Sequence, residues 1–426
     1  MAHHRSITRR AFLRSTASAV AVPYVITSSA LGAGGRLPAS ERLVMGAIGC
    51  GGQGMRHVGG GIWVQGGGFL SKPGVQVVAA CDVNRNNLNN AKSVIDKHYG
   101  NSDCVAYHNF EDLLARDDID IILCAAGDRW HTPLSIAAAK AGKDIYCEKP
   151  ISLTVYEARE LAHTMKRYGR IFQSGTQQRS WYEFRFACEL VRSGYIGHVK
   201  HIKVNVGGPP EECHLPAQGE PPDWLDYDRW LGQAPWHPFH PDILGWMRWK
   251  DFSGGEMTNW GQHMFDIAQW AMGMDESGPV EIIPADGNEF KALTYRYANG
   301  TVMTREGISQ PTPGVRFEGT DGMIEVTREQ LITEPDSLRR QTLGANDVHL
   351  YESKNHPDNF LECVRTRNRP ACDADVGYRS ISVCHLGNIA YWLERPLRWD
   401  PAAERFVNDR QADSMLQRAM RSPWSI

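Results

Sequence analysis

An α/β fold is predicted by three observations: a doubly wound parallel sheet first, then a second α/β domain with mainly antiparallel strands. Short apolar runs alternate with helical stretches between Leu43 and Cys147, the order expected of parallel strands joined by crossover helices. The first of these runs opens into a glycine-rich turn. Further on, between Val280 and Val326, segments such as Ala292–Tyr297 and Gly322–Val326 alternate in the period of antiparallel strands.

The chain's 426 residues give room for two cores. Hydrophobic residues at 42% and charged residues at 22% are ordinary for a globular protein. A net charge of −3, from 46 basic against 49 acidic residues, argues against nucleic-acid binding through a basic surface. Thirteen Trp offer flat apolar faces that suit a sugar ring, although core packing is the usual fate of such side chains. Cys50, Cys81, Cys124 and Cys147 lie in or at the end of apolar runs, where a thiol behaves as a small hydrophobe. No CxxC pair and no Cys/His zinc spacing occurs, so no metal is expected. Cys363 and Cys372 are the pair most open to a disulfide.

Thr8-Arg9-Arg10-Ala11-Phe12-Leu13-Arg14 resembles a twin-arginine export signal, with an apolar stretch from Ala17 to Ile26 and small residues at Ser28-Ser29-Ala30. The stretch is too short to span a bilayer, and no later segment reads as a membrane span. The expected organisation is a signal over 1–33 followed by two domains, over 34–157 and 158–426. Because this route carries folded proteins, a cofactor can be loaded before export to the periplasm or beyond and must then be retained and regenerated in place.

Leu43–Ile48 reads as a buried strand and leads into Gly49-Cys50-Gly51-Gly52-Gln53-Gly54, a GxGxxG turn in the context of a Rossmann domain. Its glycines permit a tight turn and close approach of backbone N–H groups to a pyrophosphate, so Gly49, Gly51, Gly52, Gln53 and Gly54 are candidate cofactor contacts. Val75–Cys81 ends in Asp82, whose carboxylate can accept from adenosine ribose hydroxyls and would repel a 2′-phosphate. This favours NAD; Arg85 keeps NADP open, and a helix cap is the alternative role for Asp82. Gly59-Gly60-Gly61 and Gly66-Gly67-Gly68 predict a short first helix and an extended loop. Ile119–Ala126 is a third buried strand; a helical stretch over Pro133–Ala141 then leads to Asp144–Cys147.

The glycine turn, the acid-ended second strand, Ala139-Lys140-Ala141-Gly142-Lys143, Glu148-Lys149-Pro150, and Gly254-Gly255 followed by Gly261-Gln262-His263-Met264-Phe265-Asp266 together resemble the glucose-fructose oxidoreductase / inositol dehydrogenase / MocA family. The resemblance implies a Rossmann domain, then an α/β domain with a large open sheet often used for oligomerisation, so a homodimer or tetramer is expected. It also implies NAD(P) and a sugar, polyol or glycoside substrate. It places Glu148 and Lys149 at the cofactor, and Lys149 and His263 in catalysis: an ammonium can steady the alkoxide and an imidazole can take the hydroxyl proton. Spacing alone leaves Lys149 open to a surface role and His263 to a buried structural one.

Glu256–Met272 is expected to form one helix with Asn259, His263, Asp266 and Trp270 on one face. Asn259 stands where many members of that family carry Asp, so the imidazolium loses an anion. By family position Arg179 and Tyr182 are candidate substrate contacts, with a salt bridge the alternative for Arg179. Trp260 can stack on a sugar, as can Trp246 and Trp249, and Asp266 is a further candidate with an orienting role. His237 and His240 are separated by prolines that break the alignment a metal needs. Pro209–Pro241 reads as a long functional loop, and 376–393 as a closing helix. Three functions are weighed: a sugar dehydrogenase with recycled cofactor, a redox-assisted glycoside hydrolase, and a non-catalytic sugar-binding protein on the same fold.

Overall fold

The computed structural model describes residues 37–62, 64 and 66–426; the expected export signal lies outside them. Ala39–Glu41 forms a short 3-10 turn, and residues 43–426 cluster as a single unit containing both sheets.

The apolar runs become β1 (Leu43–Ile48), β2 (Val75–Cys81), β3 (Val105–Tyr107), β4 (Ile121–Cys124), β5 (Asp144–Cys147) and β6 (Phe172–Ser174), parallel in the order β3-β2-β1-β4-β5-β6. β4 and β5 are buried throughout, which is why β4 reads as an unbroken apolar run and β5 as one after its opening Asp144. Register aligns Ile48 with Cys81 and Cys124, Cys124 with Cys147, and Cys147 with Ser174. The residues that follow, Gly49, Asp82, Ala125, Glu148 and Gly175, are therefore drawn up along one carboxyl edge. Between β1 and β4 the strand order reverses, the place where such sheets open a crevice.

The crossover helices are α1 (Gly52–Gly59), α2 (Arg85–Tyr99), α3 (Phe110–Leu114), α4 (Asp128–Lys140) and α5 (Val155–Tyr168). As the glycine clusters predict, α1 stops at Gly59 and a loop runs to β2. The expected boundary at 157 does not coincide with the edge of this sheet. β6 lies beyond it, and α10 (His356–Thr366) returns to pack Phe360, Leu361 and Val364 against the side of the sheet holding Met45, Val77 and Tyr146.

After α6 (Tyr182–Arg192) come β7 (Val199–Asn205), α7 (Tyr227–Leu231), α8 (Glu256–Asn259) and α9 (Gly261–Met272). Then follow β8 (Glu281–Ile283), β9 (Leu293–Arg296), β10 (Val302–Arg305), β11 (Gly314–Gly319), β12 (Met323–Thr327) and β13 (Leu331–Glu334). The chain ends, after α10, with α11 (Ala374–Leu393), β14 (Leu397–Asp400), β15 (Arg405–Phe406) and α12 (Arg410–Ser414). The nine strands run β13-β12-β11-β7-β10-β9-β8-β14-β15, antiparallel except for β7 with β10. α11 is buried on nearly all sides because it packs against α5 of the first layer and α9 of the second.

Two expectations change in detail. The single helix over Glu256–Met272 is broken at Trp260, for a reason that lies in the site. The long Pro209–Pro241 segment is pinned to the end of β2: Arg85 N–H donates to Trp224 O at 2.8 Å and Asp226 N–H to Val83 O at 3.0 Å. All ten cysteines are free thiols, nine of them buried, so Cys363 and Cys372 are not paired.

Candidate functional site

A cavity of about 700 Å³ opens along the carboxyl edge of the parallel sheet, between the glycine turn and the start of α9. Gly49, Gly51, Gly52, Gln53 and Asp82 line one part of it; Asp128, Glu148, Lys149, Asn259, Trp260, His263 and Arg328 line another.

Gly49 has φ +85°, and a Cβ there would press on the Ala125–Ala126 backbone. A Cβ on Gly54 would collide with the Gly49 carbonyl oxygen, so Gly54 serves the turn's packing and does not line the cavity. A Cβ on Gly52 would meet nothing within 4 Å. Its lack of a side chain is unexplained by the protein's own packing and leaves room above the first turn of α1. Asp82 braces the turn, accepting from Cys50 N–H at 2.7 Å and from Asn84 N–H at 2.7 Å. Burial raises its pKa against those hydrogen bonds. The cap of α2 is Asn84 rather than Asp82. An open-faced turn at a helix start and a carboxylate at the next strand end fit the pyrophosphate and ribose of a dinucleotide.

Glu148 sits 6% exposed under α1. Its Oε1 lies 2.5 Å from His57 Nε2 and accepts from Gln53 Nε2 at 3.2 Å, and its Oε2 accepts from the Lys149 N–H at 3.0 Å. Burial pushes this carboxyl up, but His57 and the Lys149 ammonium outweigh it and hold the pKa at about 2. Lys149 Nζ donates to Asn259 Oδ1 at 2.6 Å and to Asn259 O at 3.2 Å. Burial lowers the Lys149 pKa, with Glu148 and Asp128 pulling the other way. That carbonyl bond accounts for the break at Trp260. In an unbroken helix Asn259 O would accept from His263 N–H, which turns instead to Trp260 O at 3.1 Å.

His263 is 2% exposed, and burial, Lys149, Arg328 and His356 lower its pKa well below the usual range, so the ring is neutral. Gln178 stands between His263 and Arg328. With its amide oxygen accepting from Arg328 Nη2 at 2.8 Å and Nε at 2.9 Å, its nitrogen donates to His263 Nδ1 at 2.5 Å. The Arg328 guanidinium lies over Trp260, 4.6 Å from the ring centre, and burial lowers its pKa to about 10. Asp128, the first residue of α4, accepts from Ser253 Oγ at 2.7 Å. Burial raises its pKa to about 7 against that hydrogen bond, Lys149 and Arg129.

Three expected substrate contacts lie elsewhere. Arg179 and Asp266 do not line the cavity. Arg179 Nε donates to Asp266 Oδ2 at 2.7 Å and Nη2 to Oδ1 at 2.8 Å, with a further bond to Asp275 at 2.7 Å. Ser380 Oγ donates to the same Asp266 carboxylate. Buried charges need such partners, and this pair ties the turn after β6 to α9. Tyr182 is 59% exposed, outside the cavity lining, with its ring stacked on Phe186. Trp246 and Trp260 line the cavity; Trp249 packs with Phe252 and Ile243 in a small core under the long loop. His237 pairs with Asp251 at 2.8 Å, and His240 Nδ1 accepts from Asp242 N–H. His57, Asp128, Gln178 and Arg328 were not anticipated. Asp128 alone had a local signal, an acid in the short turn between a buried strand and the next helix.

The description "Oxidoreductase family, NAD-binding Rossmann fold" matches residues 44–176, and "Oxidoreductase family, C-terminal alpha/beta domain" matches 211–426. A 2,7-anhydro-N-acetylneuraminate hydratase from Mediterraneibacter gnavus is 26% identical over 186 residues, 44% of this chain and 41% of that protein. A glycosyl hydrolase family 109 protein from Solibacter usitatus is 27% identical over 201 residues, 46% of this chain and 44% of that one. The matches thus span less than half of these two relatives. Among solved structures, myo-inositol 2-dehydrogenase from Lactobacillus plantarum superposes with a TM-score of 0.56 at 19% identity, over 84% of this chain and 99% of that one. Aldose-aldose oxidoreductase from Caulobacter crescentus gives 0.58 at 19%, over 84% and 99%. With both of its domain descriptions matched in order on a six-stranded parallel sheet and a nine-stranded, mostly antiparallel one, the chain belongs to the Gfo/Idh/MocA oxidoreductase family.

Proposed function

We propose that this protein is a nicotinamide-dependent oxidoreductase that removes hydride from a sugar or glycoside hydroxyl carbon and recycles a tightly held cofactor. The observation that carries this reading is that Lys149, Asn259 and His263 share one cavity with the glycine turn and Asp82. Gly49, Gly51, Gly52 and Gln53 would hold the pyrophosphate and Asp82 the adenosine ribose, which favours NAD over NADP. The nicotinamide, when bound, supplies a two-electron hydride acceptor. Lys149 would hold the reacting oxygen and steady its developing negative charge, with Asn259 fixing the ammonium and Glu148 fixing the backbone beside it. Trp260, stiffened by Arg328, offers an apolar face to the sugar ring.

The named relatives favour a second reading on the same site, a redox-assisted glycosidase. Oxidation of a ring carbinol to a ketone acidifies the neighbouring C–H. Loss of that proton, and of the substituent with its bonding pair, leaves an unsaturated ketone; water adds, and the ketone is reduced back without net redox change. A glycoside panel in heavy water separates the two. Free aglycone, together with a sugar that carries solvent deuterium on the carbon beside the oxidised one and no net cofactor change, indicates the glycosidase; net reduction of bound cofactor indicates the dehydrogenase. Saturable sugar binding with neither outcome contradicts both and leaves a binding protein.

Export through the twin-arginine signal, with the cofactor already bound, belongs to the same proposal, as does a homo-oligomer built on the large sheet. Among the described residues no helix is long and apolar enough to cross a membrane.

A further inference from the structure

We propose that His263 stands as the Nε2–H tautomer, a hydrogen-bond donor toward the substrate oxygen, and that Asp128 is the group that receives the hydroxyl proton. This rests on the oxidoreductase reading above and reassigns the base within that site.

The tautomer follows from Gln178. Its amide has one donor end and one acceptor end, and it bridges a guanidinium, which can only donate, to His263 Nδ1. The opposite amide orientation would set the amide N–H2 against Arg328 N–H groups at 2.8 and 2.9 Å, two close donor–donor contacts. With the oxygen toward Arg328, the amide nitrogen donates to Nδ1 at 2.5 Å, and Nδ1 must carry the lone pair. A neutral ring then has its single proton on Nε2. The competing contact, Arg328 Nη2 to His263 Nε2, is 3.4 Å, too long to outweigh two bonds under 3 Å. His263 therefore lacks a free basic nitrogen: Nδ1 is occupied and Nε2 is protonated.

Another group must take the proton, and Asp128 meets the need. It lines the same cavity as Lys149, Asn259 and His263, is 2% exposed, and makes no ion pair among the described residues. Its hydrogen-bond partner is Ser253 Oγ, which in turn accepts from Gly255 N–H just before α8. The charges that reach it are Lys149 after β5 and Arg129 beside it on α4, while Lys149, Arg328 and His356 bear on His263. Burial keeps the Asp128 pKa at about 7, where a carboxylate is an effective base near neutrality. In the step, the substrate O–H bond breaks and its proton passes to Asp128. A nicotinamide held by the glycine turn and Asp82 would accept the carbinol hydrogen with its electron pair as the C=O bond forms, with Lys149 and His263 Nε2–H holding the oxygen. The reverse step returns the proton from Asp128.

The first test needs no turnover. Nitrogen-15 NMR of histidine-labelled protein, with His263→Gln to assign the ring, should show Nδ1 bare and Nε2 protonated. Gln178→Glu, whose carboxylate accepts from Nδ1, should reverse them. Infrared difference spectra of wild type against Asp128→Asn should show a protonated carboxyl that disappears as pH rises through about 7. A proton on Nδ1 in the wild type, or a carboxyl ionised throughout, overturns the proposal whether or not any sugar is oxidised. If no sugar reduces the cofactor, the oxidoreductase reading fails while these two spectra still decide this one. With an active sugar, Asp128→Asn should lower kcat by about 10²–10⁴-fold and remove the acid limb near pH 7. Asp128→Glu should restore part of the rate, and His263→Gln should keep the limb. An acid limb lost with His263 and kept without Asp128 contradicts the assignment.

Discussion

Lys149 holds Asn259 by two atoms, the side-chain Oδ1 at 2.6 Å and the backbone carbonyl at 3.2 Å, and the second bond takes the place of a helix hydrogen bond. The neutral amide fixes the ammonium without adding a charge. Asn259→Asp would place a carboxylate in the same position and raise the Lys149 pKa. The alkaline limb of kcat should then move upward by roughly one to three pH units, while the acid limb stays. An unmoved alkaline limb would separate Lys149 from the titrating step.

Arg179→Met removes the cation from a carboxylate that is fully buried, leaving Asp266 with Ser380 alone. The expected destabilisation is about 3–5 kcal/mol, read as a lower urea midpoint. Because neither residue lines the cavity, KM for the sugar should change little in the protein that remains folded. A large KM change with unaltered stability would return Arg179 to the substrate.

Asp128 leaves a mark on stability as well. Its folded pKa of about 7 lies above the ordinary 3.8, so the folded state holds the proton more tightly than the unfolded chain. Ionising it therefore costs stability, progressively as pH rises from about 3.8 through 7, and the full cost is present above 7. Asp128→Asn, which cannot ionise, should be more stable than wild type at pH 8 by up to roughly 4 kcal/mol. The difference should vanish below about pH 4. Paired denaturant curves at several pH values measure it, and a constant difference would refute the shift.

The glycine turn separates packing from ligand binding. Gly54→Ala would drive a Cβ into the Gly49 carbonyl and should disturb the fold of the turn itself. Gly52→Ala meets nothing within 4 Å and should leave thermal stability of the cofactor-free protein unchanged. Its methyl group would occupy the room that the proposed function gives to the pyrophosphate, so dinucleotide affinity should fall by about tenfold or more, a difference that calorimetry would record. Equal affinities would move the dinucleotide away from this turn.

The parallel layer was readable because strands covered on both faces must be largely apolar, and β1, β2, β4 and β5 are, with Gln76 in β2 and Asp144 at the start of β5 the polar exceptions. Lys149, Asn259 and His263 were found from local motifs, and they do share the cavity. What the sequence could not carry was pairing across distance. Gln178, His263 and Arg328 come from the turn after β6, the first turn of α9 and the segment after β12, and no spacing links them. The Glu148–His57 contact joins residues 91 apart. Arg179 was read as a substrate contact by family position, with a salt bridge the alternative, and Asp266 as a further candidate with an orienting role; the fold reveals that the salt bridge is between these two. The parallel pairing of β7 with β10 was hidden for the same reason.

The most direct test is anaerobic mixing of the purified, cofactor-loaded protein with a panel of sugars and glycosides deuterated at each ring carbinol. The account predicts that one sugar position delivers its deuterium to the bound nicotinamide, with absorbance of the reduced cofactor rising in the wild type and not in Lys149→Ala. Saturable sugar binding without label transfer from any ring position, or transfer undiminished in Lys149→Ala, would contradict it.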